Sequence, residues 1–151
     1  MAVMQIPRRV DYGLRAVIYL ARQDPGKSCS LPAIARQQGI PLKFLEKIIR
    51  DLSRNGLVRS KRGPDGGYCL ARLPSEITFQ EVIETLEGPI AVNVCMDPRV
   101  SCSQMARCTM VGIWSEVQRK IVDVFNRTTL ADVQGASCSA EPASSSLSGA
   151  A

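Results

Sequence analysis

Residues 30–70 set two short amphipathic helices and a small hairpin in immediate succession, and this order constrains the fold more than any other feature of the chain. Ser30 stands where an N-cap is needed, with Leu31, Ile34 and Ala35 on the helical face behind it. Gly39-Ile40-Pro41 supplies the turn: a glycine at a helix end accepts the left-handed conformation, and the proline after it cannot continue the helix. The next helix is predicted from about Leu42 to Arg54, with Leu45, Ile48, Ile49 and Leu52 inward, and Asn55-Gly56 stops it. Two helices joined by a tight glycine-containing turn make a helix-turn-helix. Leu57-Val58-Arg59-Ser60 and Gly67-Tyr68-Cys69-Leu70 then read as strands on either side of the turn-rich loop 61–66. A hairpin in that place is a wing.

The flanking segments are helical by the same criteria. Residues 9–22 place Val10, Leu14, Val17, Ile18 and Ala21 on one face, and Asp24-Pro25-Gly26 ends that helix. Thr78-Phe79-Gln80-Glu81 has the form of a capping box and opens a helix that closes at Gly88-Pro89. A longer helix, at about 109–126, carries Val111, Trp114, Val117, Ile121, Val124 and Phe125 on one stripe. Such a stripe needs an apolar partner, either the same helix of a second subunit or the body of its own domain. The expected architecture is mainly α with a small β-hairpin wing. It comprises a winged helix-turn-helix in 1–73, a cysteine loop and dimerisation helix in 74–133, and a disordered tail of Ser, Ala and Gly in 134–151.

Charge points to a partner for the first half. Residues 1–73 carry 14 Lys/Arg against 5 Asp/Glu, a balance of +9; residues 74–151 carry 5 against 9, or −4, and the two sum to the net +5. A basic half beside an acidic half implies a polyanion, and the motif implies double-stranded DNA. The second helix of a helix-turn-helix enters the major groove with its N-terminal residues facing base edges. Here these are Leu42, Lys43, Phe44, Glu46 and Lys47, with Arg50 one turn on. Lys43 and Lys47 suit guanine or phosphate, and Glu46 suits a cytosine amino group. Phe44 is placed either on a thymine methyl or in the core. Arg59, Lys61 and Arg62 cluster at the wing, where an arginine suits a narrow minor groove.

No run approaches the roughly 18 apolar residues of a membrane span, and residues 1–10 lack the apolar core of a signal peptide. A cytoplasmic location with reduced thiols is therefore expected. The chain has no histidine, which removes the commonest general base and the commonest nitrogen ligand. With no nucleophile–base pair and no phosphate loop either, it does not read as an enzyme. Cys95, Cys102 and Cys108 fall within 14 residues, and soft thiolates grouped in a polar loop suit an iron–sulfur cluster or zinc. Their Cys-x6-Cys-x5-Cys spacing is too wide for a knuckle built on Cys-x2-Cys pairs. Cys29, Cys69 and Cys138 read as small fillers.

Several of these stretches together resemble the Rrf-two family of bacterial regulators, of the IscR, NsrR and RirA type, over about residues 5–133. The resemblance lies in Asp-Tyr-Gly-Leu-Arg-Ala of the first helix and in Ile-Pro-Leu-Lys-Phe-Leu-Glu-Lys-Ile at the recognition helix. It continues through Asn-Gly-Leu-Val-Arg-Ser-Lys-Arg-Gly-Pro-Asp-Gly-Gly-Tyr at the wing, the three cysteines, and the helix with Trp114. It implies a homodimeric winged-helix regulator on an inverted-repeat operator, with Cys95, Cys102 and Cys108 holding an iron–sulfur cluster near the dimer interface. Members of the IscR kind add a histidine after the third cysteine; here that place falls at Val111. The first two cysteines also stand one residue further apart than in IscR. In NsrR-like members an aspartate of the other subunit's first helix completes a 4Fe–4S cluster, and Asp11 takes the matching position. Asp11 also suits the helix N-terminus electrostatically, an effect worth a few tenths of a kcal/mol. The expected function is a transcriptional regulator sensing cluster status, nitric oxide or redox stress, with 4Fe–4S favoured over 2Fe–2S. The alternative is a zinc- or thiol–disulfide-switched regulator without a cluster.

Overall fold

The computed structural model describes residues 5–135, so the expected tail lies outside the described residues apart from Gln134 and Gly135, as does Cys138. Six helices and one hairpin follow in the order α1 (Arg8–Ala21), α2 (Leu31–Gln38), α3 (Leu42–Arg54), β1 (Val58–Lys61), β2 (Gly67–Leu70), α4 (Phe79–Glu87), α5 (Val111–Arg127) and α6 (Leu130–Gln134). The α1 helix is the hub, packing on α2, α3, α4 and α6.

That central place explains a shift in its buried face. Val10, Gly13, Ala16, Val17 and Leu20 are buried, whereas Leu14, Ile18 and Ala21 of the predicted face are only partly so. Small residues take the centre because neighbours press on them. A methyl at Gly13 would lie 2.3 Å from Cδ1 of Leu86, so α4 sits closer to α1 than alanine would allow. Ile48 of α3 lies 3.5 Å from the same point, which makes Gly13 the meeting place of three helices.

The helix-turn-helix follows its local signals. Ser30 Oγ accepts from the Ala33 amide at 3.3 Å, and Gly39 adopts the left-handed conformation (φ 61°, ψ 37°). The Ile40 amide then reaches back to the Ala35 carbonyl at 2.9 Å. Leu45, Ile48, Ile49 and Leu52 are buried, Asp51 and Ser53 are half-buried, and the other residues of α3 face solvent.

In the wing, β1 and β2 pair antiparallel with Val58 opposite Leu70 and Lys61 opposite Gly67. Cys29 adds a one-residue third strand: its amide donates to the Tyr68 carbonyl at 2.9 Å, and the Tyr68 amide donates back at 2.8 Å. Gly67 makes this approach possible. It holds φ 150°, and a Cβ there would stand 2.5 Å from the Cys29 carbonyl oxygen.

After the wing the chain turns through Pro74–Glu76 into α4. Thr78 Oγ1 accepts from the Glu81 amide at 3.1 Å, but only this half of the predicted capping box forms. The Glu81 carboxylate is taken by an ion pair with Arg72, a stronger partner than a neutral amide. The return after α5 was not legible in the sequence. The Phe79 amide donates to the Thr128 carbonyl at 2.9 Å, and the Leu130 amide to the Ile77 carbonyl at 3.0 Å. The short α6 opens where Asp132 accepts from the Thr129 amide and hydroxyl at 2.7 and 2.8 Å. Ile77, Val82, Leu86 and Leu130 thereby join one core with Val17, Ile48 and Leu52. No helix among the described residues is long and apolar enough to cross a membrane.

Candidate nucleic-acid interface and cysteine cavity

Burial of Leu45, Ile48, Ile49 and Leu52 forces the remaining side chains of α3 outward. Lys43, Phe44, Glu46, Lys47 and Arg50 are all exposed, and Lys61 and Arg62 stand exposed at the hairpin turn. Some basic residues elsewhere are ion-paired, Arg15 with Asp11 and Lys120 with Glu116 among them. Among the described residues, Lys43, Lys47, Arg50, Lys61 and Arg62 have no carboxylate partner. Phe44 is not a core residue: it is 49% exposed, and its ring stands edge-on to Tyr12 with centroids 6.1 Å apart. Arg59 is set apart from the wing tip, with Nε 3.3 Å from Sγ of its cross-strand neighbour Cys69. Cys29 and Cys69 are buried. Two further cations absent from the sequence-predicted set, Arg9 and Arg54, line a cleft beside α3 together with Phe44, Lys47 and Arg50. For Arg54 the signal was present in the spacing 43, 47, 50, 54, a helical stripe; for Arg9 there was none.

The three loop cysteines lie between α4 and α5. Cys95, Cys102 and Cys108 line one cavity of about 420 Å³, with Val94, Met105 and Trp114 supplying apolar wall. All three are free thiols, partly buried. Short helical turns at Val94–Met96 and Met105–Arg107 shape the loop. Its base is pinned to α5 by one side chain: Gln118 Oε1 accepts from the Val92 amide at 3.0 Å, and Gln118 Nε2 donates to the Ile90 carbonyl. Between Cys95 and Cys102 the chain makes a hydrogen-bonded turn. The Arg99 amide donates to Asp97 Oδ1 at 2.9 Å, and its guanidinium grips both carboxylate oxygens at 2.9 and 2.7 Å. Those hydrogen bonds hold the Asp97 carboxyl well below its ordinary value, at about 2. The Arg99 guanidinium also lies over Gly88, with Nη1 2.9 Å from where a Cβ would be, so the loop rests on the end of α4.

The donor set fits an iron–sulfur cluster. Thiolates are its usual ligands. Among the described residues no three His, Cys, Asp or Glu side chains are grouped to hold a single metal ion. Asp11 is not among the residues lining this cavity in its own chain; it sits in the first turn of α1 and pairs with Arg15 at 3.0 Å.

A winged helix-turn-helix with an unpaired basic reading face defines a DNA-binding regulator. Sequence and structural comparisons agree on which kind. The Rrf2 profile, described as an iron-dependent transcriptional regulator, matches residues 6–136. The chain is 35% identical over 130 residues to protein rrf2 of Nitratidesulfovibrio vulgaris, covering 86% of this chain and 87% of that one. It is similar in structure to CymR, the global cysteine regulator of B. subtilis, with a TM-score of 0.73 at 32% identity over 87% of this chain and 97% of that one. It is likewise similar to IscR of T. potens, with a TM-score of 0.71 at 32% identity over 85% of each chain. The protein belongs to the Rrf2 family of transcriptional regulators, which are not enzymes.

Proposed function

We propose that this regulator works in the cytoplasm as a homodimer on an inverted-repeat operator and senses its signal through an iron–sulfur cluster, of 4Fe–4S type in preference to 2Fe–2S, held by Cys95, Cys102 and Cys108. The observation that carries this is the convergence of three free thiols on one cavity. Bound there, the cluster would supply a group that oxidants and nitric oxide destroy. The chain's own residues supply the linkage. Gln118 ties the loop base to α5, Arg99 lays the loop on α4, and Leu86 of α4 presses through Gly13 to Ile48 of the reading helix. Asp11 of the partner copy is proposed as the remaining ligand. Its exposed ion pair with Arg15 is worth little and yields readily to another partner. On the DNA side Lys43, Phe44, Glu46, Lys47 and Arg50 face the major groove, and Arg59, Lys61 and Arg62 serve the wing.

Anaerobic purification tests the reading. Wild-type protein is expected to be brown, with iron and sulfide in equal amounts. Replacing Cys95, Cys102 or Cys108 singly by Ala abolishes the colour, while Cys29→Ala leaves it. Asp11→Ala leaves a cluster that decays faster in air. Full iron and sulfide content in all three loop variants overturns the assignment. The second reading, a zinc or thiol–disulfide switch in the same loop, has its support in the equal likeness of the fold to CymR and to IscR. A colourless protein, zinc-loaded or with oxidised loop thiols, selects it.

A further inference from the structure

The cleft between the start of α1 and the outer side of α3, about 410 Å³ in volume, is lined by Arg9, Lys47, Arg50, Arg54 and Asp51 with Phe44 at one end. Four cations face one carboxylate. That carboxylate is engaged by Arg9, which crosses from a position 42 residues away. A guanidinium has five N–H donors, so the pair neutralises Asp51 and still leaves Arg9 with donors to offer. Among the described residues Lys47, Arg50 and Arg54 have no carboxylate partner. Holding three like charges on neighbouring turns of one helix costs stability in the free protein. An anion placed among them removes that repulsion.

The position in the fold says which anion. In a helix-turn-helix the N-terminal residues of the second helix, here α3, face base edges, and cations outside that segment are placed to meet the sugar–phosphate backbone. This cleft lies past those N-terminal residues, where α3 meets the opening turn of α1. We infer that it seats a DNA backbone phosphodiester, with Arg9 and Arg54 as its principal donors and Asp51 fixing the direction of the Arg9 side chain. The inference deepens the interface proposed above and rests on it. It adds a positioning contact to that reading: the residues from Lys43 to Arg50 face the groove, and Arg9 with Arg54 beyond them fixes register, since phosphate contacts position a protein without specifying bases.

The test is binding of the full chain to operator DNA, to single-base operator variants and to random-sequence duplex as a function of KCl concentration, each protein's fold being checked by thermal melting. Each phosphate contact contributes about 0.9 to the slope of log affinity against log salt. Arg54→Ala is therefore expected to lower the slope by about 0.9, so that between 50 and 200 mM salt it loses about 3.5-fold less affinity than wild type. The loss of slope appears equally on operator and random duplex, base preferences are unchanged, and Arg54→Lys restores the slope. Arg9→Gln behaves like Arg54→Ala. A wild-type slope in both Arg54→Ala and Arg9→Gln, or an altered base preference in Arg54→Ala, overturns the inference. If wild-type protein binds neither duplex, it is the interface reading that fails.

Discussion

Glu46 is the single acid within residues 42–50, exposed among cations that have no carboxylate partner among the described residues. A carboxylate there weakens any contact with phosphate, and in the proposed interface it accepts from a base that donates, the cytosine amino group. Glu46→Ala is expected to relax discrimination at one operator position by about 1–3 kcal/mol while general affinity holds or rises. Binding to a panel of single-base operator variants measures this, and an unchanged profile removes Glu46 from the readout. Arg62 differs from Arg59 for a local reason: it occupies the turn, whereas Arg59 is drawn onto Cys69. Arg62→Ala should therefore cost more affinity than Arg59→Ala, with the loss concentrated on sites flanked by A·T pairs. A competition assay against G·C-flanked sites decides it.

At the scale of elements, α5 carries two apolar stripes. Trp114, Gln118, Ile121 and Phe125 face their own chain: Trp114 walls the cysteine cavity, Gln118 holds the loop base, and Ile121 and Phe125 line a groove with Ile6 and Ile83. A second stripe runs through Ile113, Val117 and Val124, with Ile113 62% exposed, and none of the 17 residues of the helix is buried. Within the proposed dimer this outer stripe is the surface a second copy covers. Ile113→Asp with Val124→Asp should yield monomers in sedimentation at micromolar concentration with unaltered helix content by circular dichroism. Substituting Phe125 would confuse the outcome, because that ring also packs on its own core. A double variant that still sediments as a dimer places the contact elsewhere.

Over the whole molecule, one core joins the two functional ends. Leu130, Ile77, Leu86, Val17 and Ile48 belong to a single cluster, so the reading helix and the helix under the cysteine loop share one core. A two-fold pair of such bodies sets its recognition helices about one DNA turn, roughly 34–36 Å, or a multiple of it apart. The operator is then expected to be an inverted repeat. Changing the spacer between half-sites by half a turn should abolish tight binding, as measured by gel shift against the native spacing. Equal affinity for a lone half-site would remove the need for a dimer.

What the sequence determined by itself was whatever is written within a turn or two of the chain. The buried face of α3, the Ser30 cap, the left-handed Gly39, the hairpin and the grouping of three cysteines all rest on neighbours in sequence. What only the tertiary structure decided involves partners far apart along the chain. Arg9 on Asp51, Cys29 on Tyr68, Leu130 returning to Ile77, and the rotation of the buried face of α1 toward Gly13 each depend on where distant segments come to rest. The physical reason is that caps, turns and periodicity act through bonds and side chains within reach of one another before the chain folds. A long-range contact has no local signature, because it exists only once closing the intervening loop has been offset by the burial of a common core.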